Sequence, residues 1–452
     1  MQIERQARVA VVGAGFAGLM AARALAQAGA DVVVIEARDR VGGRVYTRRT
    51  TSGVALDMGA HWIGPTQRRL AALAQELGVA ATKTYNTGRN VYYHGGVRSL
   101  YDGAIPIGDP AVAAEVVQAT LTLSLMATEV PLDAPWNAPN AAEWDAQTCA
   151  SWLGANVSSQ EARNLLTLGI QAIFSAEPRD LSLLHVLFYT HSGGGLMDLL
   201  NVAGGAQESG FVGGAQQIAK RMAADLGERV ILDTPVRAIE QDERGVRALG
   251  DTLTVSAERA IIALPPTLAG RLRYTPALLG ARDQLTQRMP MGTVIKVQCV
   301  YPTPFWRDEG LTGQASSDSG AVRITFDMTP DQGAPGVLLG FIEGDKGRAW
   351  GRRSLEDRQA AVVDCFARYF GEQARQPLEY IEFSWAEEEF TRGCYAGYMP
   401  PGVWTTFGEA LRAPIGRLHW AGTETATVWN GYMDGALQSG ERAAREVMGA
   451  LT

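Results

Sequence analysis

Cysteine is scarce in this chain. The four that occur, Cys149, Cys299, Cys365 and Cys394, are scattered, with no CxxC pair and no histidine spacing that would hold zinc, so no structural metal is expected. Basic charge is not in excess. Lys and Arg number 41 against 48 Asp and Glu, and the net charge of -7 leaves no basic stripe for nucleic acid. Long apolar runs are missing too: nothing approaches the ~18 uninterrupted residues that span a bilayer. The start, MQIERQAR, has charge but no apolar stretch, so no signal peptide is expected. These absences predict a protein of the reducing cytoplasm. What is present is an ordinary globular balance, 46% hydrophobic and 20% charged, in a 452-residue chain long enough for two domains.

Residues 8–44 read RVAVVGAGFAGLMAARALAQAGADVVVIEARDRVGGR. An apolar, β-branched run (Val9, Val11, Val12) ends at Gly13, and the spacing Gly13, Gly15, Gly18 opens a predicted helix from Phe16 to Gln27. Gly13 allows a tight turn, Gly15 lets backbone N–H groups approach a pyrophosphate, and Gly18 lets the helix pack close to the strand. Such glycine turns also serve plain strand-to-helix connections. A second strand, Asp31 to Ile35, delivers Glu36, whose carboxylate suits a ribose diol. The continuation through Arg38, Gly42, Gly43 and Arg44 adds a second glycine turn and a cation within reach of a diphosphate. Nicotinamide enzymes do not need that addition, which favours FAD.

The segment Leu56 to Pro65, with Gly59 and Ala60 beside His61 and Trp62, suits either a loop passing close to a planar ligand or a turn capping a sheet. A helix is expected over Gln67 to Leu77. From residue 81 the character changes to a Tyr-rich patch followed by helices over Ala111 to Met126 and Gln160 to Phe174. His185 and His191, at an apolar run, read as core or helix-end histidines rather than a catalytic base. Leu196 to Val202, bracketed by glycine clusters, reads as a mobile loop. After Phe211 come a helix (Gln216 to Leu226) and short strands, then more strands and the helix Leu355 to Phe370. The expected division is 1–80, 212–286 and 388–452 as one cofactor-binding domain, with 81–211 and 287–387 as the substrate-binding domain. The fold class is α/β: a Rossmann βαβ unit plus an inserted mixed-sheet and helical domain.

Thr391 to Met448, TRGCYAGYMPPGVWTTFGEALRAPIGRLHWAGTETATVWNGYMDGALQSGERAAREVM, taken with the N-terminal unit, Gly59 to Gln67 and NVAGGAQESGFVGG, closely resembles the flavin-containing monoamine oxidase family over nearly the whole chain. The resemblance implies a glutathione-reductase-like FAD domain and oxidation of a small-molecule amine by O2 and water to aldehyde, ammonia and hydrogen peroxide. Cys394 matches the cysteine that bonds the flavin 8α carbon through sulfur, so covalent FAD is expected; many bacterial relatives lack it. Tyr395 and Tyr432 match the two aromatics flanking the substrate amine, and Lys296 the lysine that reaches flavin N5 through a water. Gly422, Thr423 and Glu424 match a turn beside the flavin ring, just ahead of a helix from near Gly431 to Met448 whose N-terminus would favour a reduced, anionic ring. Val236, Trp385 and Met433 match further cofactor-lining positions; Gln207 and Leu200 match cavity positions, with Ile173 as a wall.

None of those cavity positions is acidic, so a second ammonium has no expected partner. A primary aryl-alkyl or aliphatic monoamine is therefore the expected substrate, with kcat/KM rising with pH through the amine's ionisation. Arg323 is the candidate for a carboxylate-binding arginine, should the substrate be an amino acid. A diamine or polyamine oxidase, or a flavoprotein without turnover, are the alternatives. The mitochondrial members continue into a membrane-anchoring helix, whereas this chain stops at Thr452, so no anchor is expected. A homodimer is what family members often form.

Overall fold

The computed structural model describes residues 3–103, 105–106 and 108–451. Its first layer is a five-stranded parallel sheet in the order Val230–Ile231, Val32–Ile35, Val9–Val12, Arg259–Ile262, Leu418–Trp420. Val9–Val12 and Val32–Ile35 are buried at every position, as unbroken apolar strands covered on both faces must be. Helix Phe16–Gln27 covers one face and packs against the C-terminal helix Met433–Leu451. There a Cβ on Gly440 would stand 2.3 Å from the Ala17 carbonyl oxygen, so the helix backbones meet closely.

A second five-stranded sheet runs Ile3–Gln6, Leu253–Ala257, Val246–Gly250, Val236–Gln241, Arg273–Thr275. The third has seven strands, in the order Glu379–Ser384, Val294–Tyr301, Gly336–Glu343, Ile324–Asp327, Leu311–Ser317, Arg89–His94, Val97–Tyr101. It thus joins chain segments more than 200 residues apart, through the parallel pairing of Leu311–Ser317 with Arg89–His94. Helix Leu355–Phe370 covers it, burying Val362, Cys365 and Phe366.

The remaining layer is helical. Helix Pro110–Thr128 starts with Asp109, whose side chain accepts from the Ala111 N–H, and with Pro at its first turn, a strong start signal that moves it ahead of the expected Ala111. Among the described residues it is the one helix long and apolar enough to cross a membrane by length and composition. Its Val112, Val116 and Leu123 are buried in the helical core, while Val117, Leu121 and Leu125 face outward. Helices Gln160–Phe174 and Leu183–Ser192 pack beneath it. One expectation is corrected: Leu196–Leu200 is a short helix rather than a loop, because Leu196 and Leu199, one turn apart, are both drawn into the core.

Candidate active site

The first strand, its glycine turn and helix Phe16–Gln27 form one end of a cavity of about 750 Å³. Gly13 has φ +103°, a conformation for which glycine is needed, and a Cβ on Gly18 would stand 1.9 Å from the Gly13 carbonyl oxygen. Gly18 therefore serves helix-to-strand packing and does not itself line the cavity. Gly15 starts the helix without a side-chain cap, which leaves first-turn N–H groups available to an anion. The second glycine turn lies against it, with Gly42 bridged to Gly15 and only the Gly43 Cα near where a Gly15 side chain would point. Glu36, buried, accepts from the backbone N–H of Ala14 at 2.7 Å and of Arg38 at 3.1 Å. An uncapped helix start, a bare glycine passage and a fixed carboxylate are what a dinucleotide diphosphate and ribose require, so the residues present fit FAD.

Arg44 lines the same cavity, but its guanidinium is engaged by the buried Glu424 at 2.5 and 3.0 Å and donates to the Tyr395 carbonyl at 2.9 Å. Burial opposes charge on both partners, yet each holds the other ionised: Glu424 lies below, and Arg44 above, its ordinary pKa. Glu424 stands behind the cavity wall and fastens the loop by accepting from the Gly397 N–H. Gly422, Thr423, Met433, Val236, Trp385, Arg38, Gly43, Gly59 and Ala60 all line the cavity.

At mid-cavity Cys394, Lys296, Tyr395 and Tyr432 face the same space, as the sequence reading expected. Cys394 is a buried free thiol, pushed up to about 12 by burial. Lys296 comes from the fully buried strand Val294–Tyr301; its Nζ donates to the Gly59 carbonyl at 2.9 Å and lies 3.0 Å from His61 Nδ1. Burial lowers its pKa to about 7, against the pull of Asp57. Tyr432 packs edge-on to Trp429 at 4.8 Å, and Tyr395 edge-on to Phe341 at 5.9 Å. Farther out lie Ile173, Leu200 and Gln207, whose Nε2 donates to the Leu199 carbonyl while its Oε1 is buried without a partner among the described residues.

Three further residues, one of them in the loop singled out above, have no role assigned by the sequence. His61 abuts Lys296, Tyr189 stands beside Tyr432 with ring centroids 6.0 Å apart, and Glu343 receives the Tyr395 hydroxyl at 2.6 Å. Glu343 corrects the expectation of a cavity without acid, for it lines the cavity and is buried. The available signal was an acid closing the apolar run Val337 to Ile342, where a strand end bordering solvent reads the same. Arg323 donates to Gln171 Oε1 and does not line the cavity, which removes the carboxylate-binding arginine. His185 is a core histidine: Trp404 Nε1 donates to its Nδ1 at 3.2 Å, and burial lowers its pKa to about 3.

The profile of the family described as flavin containing amine oxidoreductase matches residues 16–448. A Mycobacterium tuberculosis protein named as a flavin-containing monoamine oxidase is 42% identical over 443 residues, 98% of this chain and 97% of that one. Among solved structures, cyclohexylamine oxidase from Brevibacterium oxydans superimposes with a TM-score of 0.95 at 35% identity, covering 99% of this chain and all of that one. Wild-type putrescine oxidase bound to putrescine matches at a TM-score of 0.95 and 34% identity, with the same coverage.

Proposed function

This chain belongs to the flavin-containing amine oxidoreductase family, an FAD-dependent enzyme that oxidises amines, and on that premise we propose that its substrate is a primary aryl-alkyl or aliphatic monoamine. The products are the aldehyde, ammonia and hydrogen peroxide, with O2 and water consumed. One observation carries the reading: the glycine passage, Lys296, Cys394 and both tyrosines open onto one cavity whose outer walls, such as Ile173 and Leu200, are apolar. Bound FAD supplies the two-electron acceptor, which O2 restores.

The residues supply binding, orientation and dryness. Tyr395 and Tyr432 present ring faces that guide a nitrogen and exclude water from it. Neither hydroxyl acts as a base, since burial raises the pKa of both well above neutrality. Gln207, whose Nε2 donates to the Leu199 carbonyl, braces the cavity wall. Lys296, held by Gly59 and His61, keeps an N–H for a water beside the flavin ring. Cys394, whose thiol faces the cavity, would be the residue to hold the flavin covalently at its 8α carbon. The unpaired thiols away from the site, Cys149, Cys299 and Cys365, support a reducing cytoplasm as its location.

Glu343 favours a second reading, a diamine oxidase, in which it holds a second ammonium. A peroxide-coupled panel of benzylamine, tyramine, hexylamine and putrescine separates the two. Monoamines turned over with kcat/KM at least ~10-fold above putrescine are expected, a preference of about 1.4 kcal/mol; the reverse order would replace the first reading by the second. For the covalent bond, acid precipitation should leave the yellow colour in the pellet, and colour wholly in the supernatant would end that assignment.

A further inference from the structure

Glu343 closes the strand Gly336–Glu343, and with Phe341, two positions earlier, it points from one face of the sheet into the cavity. Its Oε1 is fixed: the Tyr395 hydroxyl donates at 2.6 Å and Ser175 Oγ at 3.4 Å. Its Oε2 takes no hydrogen bond from the described residues and is not fully enclosed. One oxygen is anchored, and the other belongs to a residue that lines the cavity. The charged and titratable groups around it are Tyr395 from the loop after Gly393, Arg323 from the segment before Ile324–Asp327, and Glu177 from the turn after Gln160–Phe174. Burial pushes the carboxyl up to about 7; Tyr395, Arg323 and Ser175 oppose that shift, and Glu177 adds to it. Lys296, opposite Phe341 on the paired strand, is turned to Gly59 and His61 instead.

Amines dissolve mostly as ammonium ions at neutral pH, whereas only the neutral amine is readily oxidised. An apolar cavity must therefore receive a cation and remove a proton from it. We propose that Glu343 receives the substrate's ammonium at Oε2 and takes one of its protons, delivering neutral amine to the cage of Tyr395 and Tyr432. In that step an N–H bond breaks, an O–H bond forms on Oε2, and the electron pair stays on nitrogen. The proton goes back to the departing ammonia, which leaves as ammonium. The anchoring of Oε1 to the Tyr395 hydroxyl sets the carboxyl at the edge of the cage, within the same cavity. The proposal rests on the cage role assigned above to the two tyrosines.

The test uses the flavin-loaded enzyme and E343Q, whose amide oxygen can still accept from Tyr395. α,α-Dimethylbenzylamine, which has no α-hydrogen to lose, is titrated by its effect on the flavin spectrum between about pH 6 and 10. Wild-type affinity should pass through a maximum, with an acid limb near pH 7. E343Q should bind more weakly at neutral pH, lose that limb, and tighten steadily as neutral amine appears in solution. With benzylamine the wild-type to E343Q ratio of kcat/KM should be ~100-fold near pH 7 and shrink to a few-fold near pH 10, the scale of a lost general base. E343D should restore the acid limb. A ratio independent of pH, or an E343D profile like that of E343Q, would overturn the proposal and leave Glu343 a support for Tyr395. A loss confined to putrescine would overturn it in favour of a second-ammonium site. Because the non-oxidisable amine reads binding alone, the proton step is tested even if no amine in the panel is turned over.

Discussion

A lysine cut off from water is more stable neutral, and Lys296, 2% exposed, has its pKa lowered from 10.5 to about 7 by burial. Between those values the unfolded chain binds more protons than the folded one, so stability rises with pH across that window. Below about 7 both states are protonated and the penalty is constant, and above 10.5 it vanishes. At 1.36 kcal/mol per unit the ceiling is ~5 kcal/mol, reduced by the hydrogen bonds to Gly59 and His61 that the lysine makes. Lys296→Met should therefore raise the Tm of the protein near pH 7 and lose most of that gain by about pH 10.5. Thermal melts at the two pH values decide it, and an equal shift at both would show that the lysine is not held neutral. Lys296 could be picked out in the sequence because its apolar strand neighbours and its motif stood together. Glu343 could not, because what marks it is a hydroxyl 52 residues away, and no local pattern encodes that meeting.

Elements with strong local signals match the sequence reading to the residue. Phe16–Gln27 and Gln160–Phe174 have the expected bounds, the first opened by the glycine turn and the second by Ser159, which accepts from the Ala162 N–H. Leu196–Leu200 differs from its local pattern because its glycine flanks signal a loop, while the burial of Leu196 and Leu199 is a tertiary effect. The pairing of the first and last long helices was invisible for the same reason. It sets the N-terminal end of Phe16–Gln27, where the glycine passage begins, so Gly440→Ala should disturb the cofactor site from a distance. The added Cβ would meet backbone atoms, the Ala17 oxygen at 2.3 Å and the Ala21 nitrogen at 3.0 Å, which cannot rotate aside. A cost of ~1–3 kcal/mol is expected, with less FAD retained after gel filtration. Wild-type stability and flavin content together would mean the helices can part without cost.

At the scale of the whole molecule, the cavity is built from segments as far apart as Gly13 and Ala436, and the ion pair between Arg44 and Glu424 ties the N-terminal glycine turns to the C-terminal loop that carries Tyr395. The dinucleotide cradle was legible because all its parts lie within one βαβ unit. The reacting end was legible only through resemblance, since Lys296, Cys394 and Tyr432 come from three separated stretches that no periodicity links. A cofactor held across those stretches should couple its binding to global stability, and a covalent bond changes how that coupling is read. For Cys394→Ala, binding is reversible, and free FAD at 100 times its Kd should add about 2.7 kcal/mol, or roughly 3 °C in Tm for a chain of this length. For the wild type with a Cys394 bond, the flavin stays with the unfolded chain, so added FAD finds no vacancy and Tm should not move. Melts of both proteins over a range of FAD concentrations distinguish the cases, and a wild-type Tm that climbs in parallel with that of Cys394→Ala would mean that the thiol, though it faces the cavity, leaves the ring untethered.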